Sequence, residues 1–202
     1  MYENVKRLFD VAIGLMGLIV LVPLSILVKF SFLSLRDKGS VFYTQRRVGK
    51  DGKVFHIYKF RSMVQNADEI LEELLKDENY RREWEENQKI DDDPRITPLG
   101  KYLRRTSLDE LPQLLNVLKG DMSLVGPRPL VEGELEMHGG SELYWEVKPG
   151  ITGWWASHGR SDISYEERLE MEYYYIRNCS LKLDFVCIFK TVFGVLTAKG
   201  AK

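Results

Sequence analysis

The residues best suited to chemistry in this sequence are two adjacent carboxylates, Asp109 and Glu110, which follow the bases Arg104 and Arg105. An ionised aspartate beside a bound phosphate can act as a nucleophile and form an acyl phosphate. A neighbouring glutamate can hold Mg²⁺, which bridges phosphate oxygens. The pattern therefore indicates phosphate chemistry, with Asp109 as the candidate nucleophile.

The element expected to position this pair is a short helix over Leu108–Leu118. Ser107 is the predicted N-cap, Glu110 completes a capping box, and Gly120 ends the helix. A helix N-terminus carries positive partial charge and free N–H groups, so together with the arginines it keeps a carboxylate ionised and binds phosphate. A purely structural interpretation also fits, in which Glu110 only completes the cap and Asp109 only favours the helix dipole.

Four further bases are candidate phosphate ligands: Lys59, Arg61, Arg128 and Arg160. Arginine forks match phosphate oxygens bidentately. Arg128 lies between two prolines, whose stiff backbone reduces the ordering cost of binding. Taken singly, each base is more often a surface salt bridge. The sequence has neither a Walker loop nor a G-x-G-x-x-G motif, so side chains and helix ends would hold the phosphate.

The composition is that of a globular protein, with 44% hydrophobic and 29% charged residues among 202. It excludes a polytopic transporter, a collagen and a wholly disordered chain. Two cysteines, and three histidines without metal-ligand spacing, exclude a disulfide framework and a cysteine-based zinc site. Residues 66–93 carry twelve acids and four bases, which leaves the rest of the chain basic although the net charge is −1. A basic body indicates a nucleotide, a nucleic acid or an anionic lipid as partner.

Val11–Val28 is a run of eighteen residues without a charge. As one helix it would reach about 27 Å, against a hydrocarbon core of about 30 Å. Pro23 removes a backbone donor inside the run, and bases flank both ends, so the positive-inside rule gives no clear orientation. A re-entrant helix that turns at Pro23 and leaves on the same side fits these facts, and so does a single straight or kinked span. A core helix of a soluble protein is the third alternative.

The rest of the chain predicts a mixed domain. Residues 41–60 are typical of a β-hairpin that turns at Asp51-Gly52, and residues 67–89 predict one charged, mostly solvent-facing helix. Further helices are expected over Ser164–Asn178 and Leu181–Ala198, the second either in the core or at the membrane interface. The expected fold class is α/β, of the α+β kind and mostly helical, with a small β-hairpin and interfacial amphipathic helices.

Several long stretches, taken together, resemble the bacterial sugar transferase family, the monotopic phosphoglycosyl transferases that start glycan assembly on undecaprenyl phosphate. The resemblance covers essentially the whole chain in order and is more specific than a lone short motif. The stretches that carry it are Tyr58–Met63, Asp93–Gly100, Leu103–Gln113, Asn116–Pro129, Pro149–Gly153 and Gly159-Arg160.

The resemblance implies a reaction at the cytoplasmic face of the bacterial inner membrane, with a UDP-sugar as donor. Asp109 would attack the β-phosphate and expel UMP. Undecaprenyl phosphate would then attack the aspartyl sugar phosphate, in a ping-pong sequence that yields undecaprenyl diphosphate sugar. Mg²⁺ is the implied cofactor, with Glu110 and Asp109 as its carboxylates.

The resemblance also assigns the bases by position. Arg104 and Arg128 match phosphate-contacting arginines, and Arg160 matches a residue near the nucleotide. Lys59 and Arg61 are weaker matches and are retained as candidate substrate ligands.

The membrane segment implied by the family is a re-entrant helix broken at a proline, which Pro23 matches. The implied division of the chain is a membrane helix over residues 1–38 and a cytoplasmic-face catalytic domain over residues 39–202. Membrane lipid is therefore an expected partner.

Two other classes of function compete with the enzyme. One is a non-catalytic, membrane-anchored scaffold for glycan assembly, against which the intact Asp109-Glu110 pair argues. The other is a basic module for nucleic acid or anionic lipid, but the sequence contains no nucleic-acid-binding motif, so nucleic acid is not an expected partner. The identity of the sugar, and the choice between a monomer and a homodimer, stay open.

Overall fold

The computed structural model describes residues 2–34, 36–87, 90–158 and 163–196. This part of the chain is mostly helical with a small antiparallel hairpin, as predicted. Its helices are α1 (Tyr2–Ser34), α2 (Ala67–Leu74), α3 (Glu78–Asn87), α4 (Pro98–Arg105), α5 (Leu114–Lys119), α6 (Glu134–Met137), α7 (Trp154–His158), α8 (Tyr165–Asn178) and α9 (Leu181–Leu196). Its strands are β1 (Phe42–Val48), β2 (Val54–Phe60), β3 (Ser123–Val125) and β4 (Gly150–Thr152), and 3₁₀ helices cover Lys50–Gly52, Leu108–Gln113 and Glu142–Glu146.

Helix α1 contains Pro23 and is long and apolar enough to cross a membrane. One side of it is buried against the rest of the chain through Asp10, Gly14, Leu21, Val28 and Phe32. The other side exposes large apolar side chains: Leu15, Met16, Ile19, Val20, Val22, Ile26, Leu27, Phe30 and Leu33. The predicted apolar N-terminal helix is confirmed, and its re-entrant turn stays a prediction.

The helix path near Pro23 has a local hydrogen-bonding adjustment. Proline has no N–H to donate to the carbonyl of Ile19, four residues earlier. Two residues after the proline, the Oγ of Ser25 donates to the carbonyl of Leu21 at 2.7 Å. A hydrogen bond from a serine side chain to the carbonyl four residues earlier often bends a helix. Pro23 and Ser25 can therefore both bend α1 within one turn.

Helices α1 and α5 approach each other closely at two glycines. An added Cβ would lie 2.3 Å from Leu114 Cδ1 at Gly17 and 2.8 Å from Leu118 Cδ2 at Gly14. Near the start of α1, Arg7 donates to the last carbonyls of α5, including that of Leu118 at 2.8 Å. The last carbonyls of a helix lack the N–H partner four residues later, so Arg7 caps α5 from α1 together with Gly120.

The predicted hairpin is confirmed. β1 and β2 pair antiparallel, from Phe42 opposite Phe60 to Val48 opposite Val54. The predicted turn residue Asp51 has a φ of 58°, a conformation that aspartate tolerates better than most residues. The hairpin therefore delivers the end of β2, including Lys59, to the interior of the domain.

The prediction of one helix over residues 67–89 is wrong, because two helices occupy this range. α2 ends at Leu74, and α3 begins at Glu78. Asp77 separates them, and its carboxylate accepts a hydrogen bond from the backbone N–H of Asn79 at 2.8 Å. Aspartate before a helix caps its free N–H groups, so Asp77 starts a new helix.

The second half of the chain forms a separate core around α8, α9 and the parallel pair β3–β4. The predicted helix at Ser164 is confirmed, with Ser164 and Glu167 forming a reciprocal capping box. α9 is confirmed to Leu196, and the last two predicted residues lie outside the described residues. It exposes Phe185 and Phe189, and its position at a membrane interface stays a prediction.

Gly100 lies in α4 where an added Cβ would be 1.9 Å from the carbonyl oxygen of Ser62. Backbone cannot swing aside as a flexible side chain does, so we expect Gly100→Ala to lower the Tm by at least about 5 °C. The matched control is Gly194→Ala in α9, where an added Cβ meets no atom of the described residues within 4 Å. Melting of both variants in detergent checks this, and equal shifts would contradict it.

Candidate active site

Asp109 and Glu110 lie in the 3₁₀ helix Leu108–Gln113, where the sequence predicted an α-helix. Pro112 has no N–H for the carbonyl four residues earlier and its ring clashes with that carbonyl, so α5 starts only after it. The predicted cap is also wrong, because Ser107 has a φ of 55° and its side chain makes no capping hydrogen bond. The predicted end is confirmed, since Gly120 closes α5 with a φ of 91°.

Asp109 is half-buried, and this burial is the largest influence on its titration. Burial raises the pKa of its carboxyl, and the charge of Glu110 raises that pKa further. Lys59 and Arg104 favour the ionised form but do not outweigh burial. A partly desolvated carboxylate interacts strongly with a charge brought next to it. Asp109 is therefore suited to approach a phosphate group whose negative charge is neutralised by nearby bases.

Glu110 forms an ion pair with Lys59 at the end of β2, with Nζ and Oε1 3.0 Å apart. Both side chains stay partly exposed. Asp109, Glu110, Lys59 and Arg104 are named the carboxylate cluster below. The structure thus brings together four of the residues that the sequence selected.

The carboxylate cluster fits a Mg²⁺ site in which the protein supplies only one or two of the ligands. The described residues contain no group of three or more His, Cys, Asp or Glu that could hold a metal by itself. Mg²⁺ is commonly bound by one or two carboxylates, with substrate phosphates and waters as the other ligands. Asp109 and the partly exposed Glu110 are such a pair, so the donor set fits a metal that arrives with a diphosphate.

Arg104, the member of the carboxylate cluster that comes from α4, is exposed. Its Nε donates to the Oγ of Ser62 at 2.9 Å. Within the described ranges this is the one hydrogen bond of its guanidinium, so both terminal nitrogens can bind a phosphate oxygen. Ser62 therefore aims Arg104, a role that the sequence did not reveal.

A second residue missed by the sequence analysis is Asn116, which is fully buried in α5. Its side chain accepts from the N–H of Tyr58 at 3.0 Å and donates to the carbonyl of His56 at 2.7 Å. It therefore pairs with the edge of β2 directly before Lys59. Asparagine near the end of a short helix gives no sequence signal for such a contact between distant elements.

Arg61 is placed differently from the prediction that it binds substrate. Its guanidinium forms an ion pair with Asp37 at 2.7 Å and donates to the carbonyl of Ser40 at 2.8 Å. It also lies 4.3 Å from the ring centre of Phe32 in α1. Through these internal contacts Arg61 joins the end of α1 to the hairpin, and its role as a substrate ligand stays a prediction.

Arg128 is exposed and belongs to a second polar group, the arginine cluster, which comprises Arg47, Arg128, Trp155, Arg168 and Glu172. The guanidinium of Arg168 lies 4.8 Å from the ring centre of Trp155, and that of Arg128 lies 6.0 Å from it. The backbone N–H of Arg128 donates to Glu172 Oε1 at 3.0 Å. Among the described residues, no hydrogen bond or ion pair joins the two clusters.

The arginine cluster holds buried polar atoms without hydrogen-bond partners in the described part of the chain. They are Arg47 Nε, Trp155 Nε1, Arg168 Nε and NH2, and Glu172 Oε2. Buried polar groups are nearly always satisfied, so exceptions point to a water, an ion or a ligand. Four of these atoms are donors and one is an acceptor. Glu134 lies 3.9 Å from Arg47 and 3.8 Å from Arg168 and partly balances their charge, but the excess of donors suits a ligand rich in acceptor oxygens.

The sequence analysis missed Arg168 and Glu172, although their spacing of four places both on one face of α8. The signal in the sequence was an arginine and a glutamate at that spacing on the apolar, tyrosine-rich face of a predicted helix. Arg160 lies outside the described residues, so its expected position near a nucleotide stays a prediction.

Two of the histidines form contacts within the domain. His158 Nδ1 lies 2.8 Å from the carbonyl oxygen of Trp154, and the His138 ring stacks on Tyr165. Cys187 is fully buried.

The comparisons with known proteins agree with this arrangement. The family model described as "Bacterial sugar transferase" matches residues 1–198. The chain therefore belongs to the bacterial sugar transferase family, and its class is that of a sugar transferase.

Individual relatives give a finer picture of what the chain is similar to. It is 46% identical to the exopolysaccharide production protein ExoY of Sinorhizobium fredii, over 97% of this chain and 87% of that protein. It is 48% identical to the undecaprenyl-phosphate galactose phosphotransferase of Salmonella typhimurium and 49% identical to the UDP-galactose-lipid carrier transferase of Erwinia amylovora. Each of these two matches covers 97% of this chain and 41% of the relative.

The burial of Glu172 makes a prediction about stability and pH. Burial raises its pKa to about 7, well above that of an exposed glutamate. At low pH the folded and unfolded states both hold the proton. As the pH rises through the unfolded and then the folded pKa, the unfolded state releases the proton first and stability falls. We expect Glu172→Gln, which keeps the acceptor for Arg128, to remove most of this loss.

Thermal melting of both proteins between pH 4 and pH 8 tests this expectation. The variant should match the wild type at pH 4, below the pKa of an unfolded glutamate, and have the higher Tm at pH 8. Glu170→Gln, an exposed position on the same helix, is the control and should leave the pH dependence unchanged. An identical pH dependence in wild type and Glu172→Gln would show that Glu172 does not carry it.

Proposed function

We propose that this chain transfers a sugar 1-phosphate from a UDP-sugar to undecaprenyl phosphate, through a covalent intermediate on Asp109. The observation that carries the proposal is the half-buried Asp109 beside the Glu110–Lys59 pair and Arg104. Membership of the bacterial sugar transferase family and relatives named for undecaprenyl-phosphate phosphotransfer support it.

In the first step a carboxylate oxygen of Asp109 attacks the β-phosphorus of the donor. The bond from that phosphorus to the bridging oxygen breaks, and UMP leaves with the electron pair. Arg104 and Lys59 lie where they can offset negative charge on the phosphoryl oxygens. The product is an acyl phosphate that joins the sugar phosphate to Asp109.

In the second step a phosphate oxygen of undecaprenyl phosphate attacks the same phosphorus. The bond to Asp109 breaks, the carboxylate is restored, and undecaprenyl diphosphate sugar leaves. The two-step route lets UMP depart before the lipid phosphate reacts, so one small site serves a water-soluble and a lipid substrate in turn. Mg²⁺, held by Glu110 with Asp109, would neutralise diphosphate charge when bound.

The arginine cluster is proposed to contact the donor. Arg128 is exposed at its edge, while the orphaned donors of Arg168 and Trp155 lie inside it. These groups suit the oxygens of a nucleotide, and Arg128 is assigned to a donor phosphate. UDP-galactose is the first donor to test, because two relatives near half identity are named for galactose.

We expect Asp109→Asn to reduce UMP release by at least about 10³-fold, because an amide cannot act as the nucleophile. The assay measures UMP from a panel of UDP-sugars, with the protein in nanodiscs that contain Mg²⁺ and undecaprenyl phosphate. Asp68→Asn, at an exposed position in α2, is the matched control and should retain full activity.

Without undecaprenyl phosphate, the wild type should release at most one UMP per chain and gain the mass of one sugar phosphate on Asp109. UMP release that survives in Asp109→Asn would contradict the covalent route and favour direct transfer. A folded wild type that releases no UMP from any donor would favour the scaffold.

The membrane arrangement proposed for α1 is re-entrant, with both ends on the cytoplasmic side. Near its start, Lys6 forms an ion pair with Asp184 of α9 at 2.8 Å. At its end, Phe32 contacts Arg61 and the Nζ of Lys29 donates to the carbonyl of Gly39 at 3.4 Å. One domain that contacts both ends of a helix lies on one side of the bilayer, which supports this topology.

Cysteine labelling tests the topology in a Cys179→Ser background. We expect Asn4→Cys and Lys38→Cys to react with an impermeant maleimide in inside-out vesicles and to stay unlabelled in spheroplasts. Asp68→Cys in α2 marks the cytoplasmic side. Labelling of the two ends from opposite sides would establish a single span and exclude re-entry.

A further inference from the structure

A cavity of about 260 Å³ lies beside the N-terminal turns of α1. Its walls come from the start of α1, the hairpin turn at Lys50, β3, the segment before β4 and the end of α8. None of its lining residues belongs to the carboxylate cluster or the arginine cluster. It is therefore separate from the residues proposed to bind the donor.

The polar lining of this cavity is mainly basic, through Lys6, Arg7, Lys50 and Lys148. Its two acids are already engaged. Asp10 is buried and accepts hydrogen bonds from Ser123 and Leu124, and Glu3 pairs with Lys50 at 3.3 Å near the surface.

The four bases differ in what already binds them. Lys6 contacts Asp184, whereas Arg7 contacts only neutral carbonyls. Lys148 makes no hydrogen bond and no ion pair with any residue that the structure describes. Burial, and then the charge of Arg7, lower the pKa of Lys148, as expected where cations gather without enough anions.

We propose that this N-terminal cavity binds a phosphate-bearing anion, with Lys148 as its principal ligand and Lys50, whose partner Glu3 is exposed, as a second one. The volume lies below the range of about 300–1,000 Å³ typical of pockets for drug-sized ligands, so it suits a phosphate or a headgroup better than a UDP-sugar. Lys6 is five residues before the apolar run that starts at Val11, or about 8 Å along the helix. That depth matches the headgroup region, where basic pockets bind anionic lipids.

Two sources supply this chemistry, a phospholipid headgroup and free phosphate, and one experiment separates them. Native mass spectrometry of the full chain in detergent counts bound phosphatidylglycerol against phosphatidylcholine. Thermal melting compares inorganic phosphate with chloride at equal ionic strength. The test variant is Lys148→Gln. The control is Lys53→Gln, an exposed lysine that follows the hairpin turn at Lys50 and does not line the cavity.

We expect wild type and Lys53→Gln to retain phosphatidylglycerol selectively, and Lys148→Gln to bind it about fivefold more weakly. Stabilisation by phosphate that is lost only in Lys148→Gln, without lipid selectivity, would identify free phosphate as the source. Binding of both probes that is unaffected by Lys148→Gln would overturn the proposal.

An unchanged Tm without ligand shows that Lys148→Gln folds. If it does not fold, Lys50→Gln on the hairpin turn tests the same site, and Lys148→Arg should keep the binding. Loss with Lys50→Gln and retention with Lys148→Arg support the site, whereas the opposite results exclude it. None of these readouts depends on sugar transfer, so the outcome is independent of the proposed enzyme activity.

Discussion

The packing of one side of α1 against the domain governs the rest of the structure. Leu21, Val28 and Phe32 share a buried cluster with Phe60 of β2 and Leu103 of α4. The opposite side of the same helix is apolar and exposed over its length, and such a surface is stable only when lipid or protein covers it. β2 and α4 also carry Lys59 and Arg104, so the depth of the carboxylate cluster is tied to the position of α1.

Polar contacts of α1 also determine the position of the arginine cluster. Asp10 is buried in α1 and holds the Oγ of Ser123 and the N–H of Leu124 in β3. β3 leads directly into the Pro-Arg-Pro segment that presents Arg128. The apolar contact surface of α1 therefore positions the carboxylate cluster, and its buried Asp10 positions the arginine cluster.

The sequence predicted the parts that depend on local pattern. The apolar helix, the hairpin with its turn at Asp51, the end of α5 at Gly120 and the helices α8 and α9 follow from periodicity and turn chemistry. Asp109 and Glu110 were selected by residue type, and their proximity to Lys59 and Arg104 agrees with that selection.

The errors arose where one residue overrode the pattern around it. Pro112 makes the expected start of an α-helix a 3₁₀ helix. Asp77 starts a second helix within a charged segment whose residue pattern gives no sign of a break. The internal contacts of Arg61 and Asn116 could not be predicted, because their partners Asp37 and Tyr58 are identified only by the tertiary fold. Long-range pairing of polar side chains leaves no periodic trace in a sequence.

The buried side of α1 also imposes an order on biosynthesis. The N-terminal helix leaves the ribosome before β2, α4 and α5 exist. Until those elements arrive, Leu21 and Val28 have no protein partner and Asp10 lacks the donors of β3. The nascent helix is therefore apolar and uncovered on both sides when it emerges, and the later elements complete their fold against one of those sides.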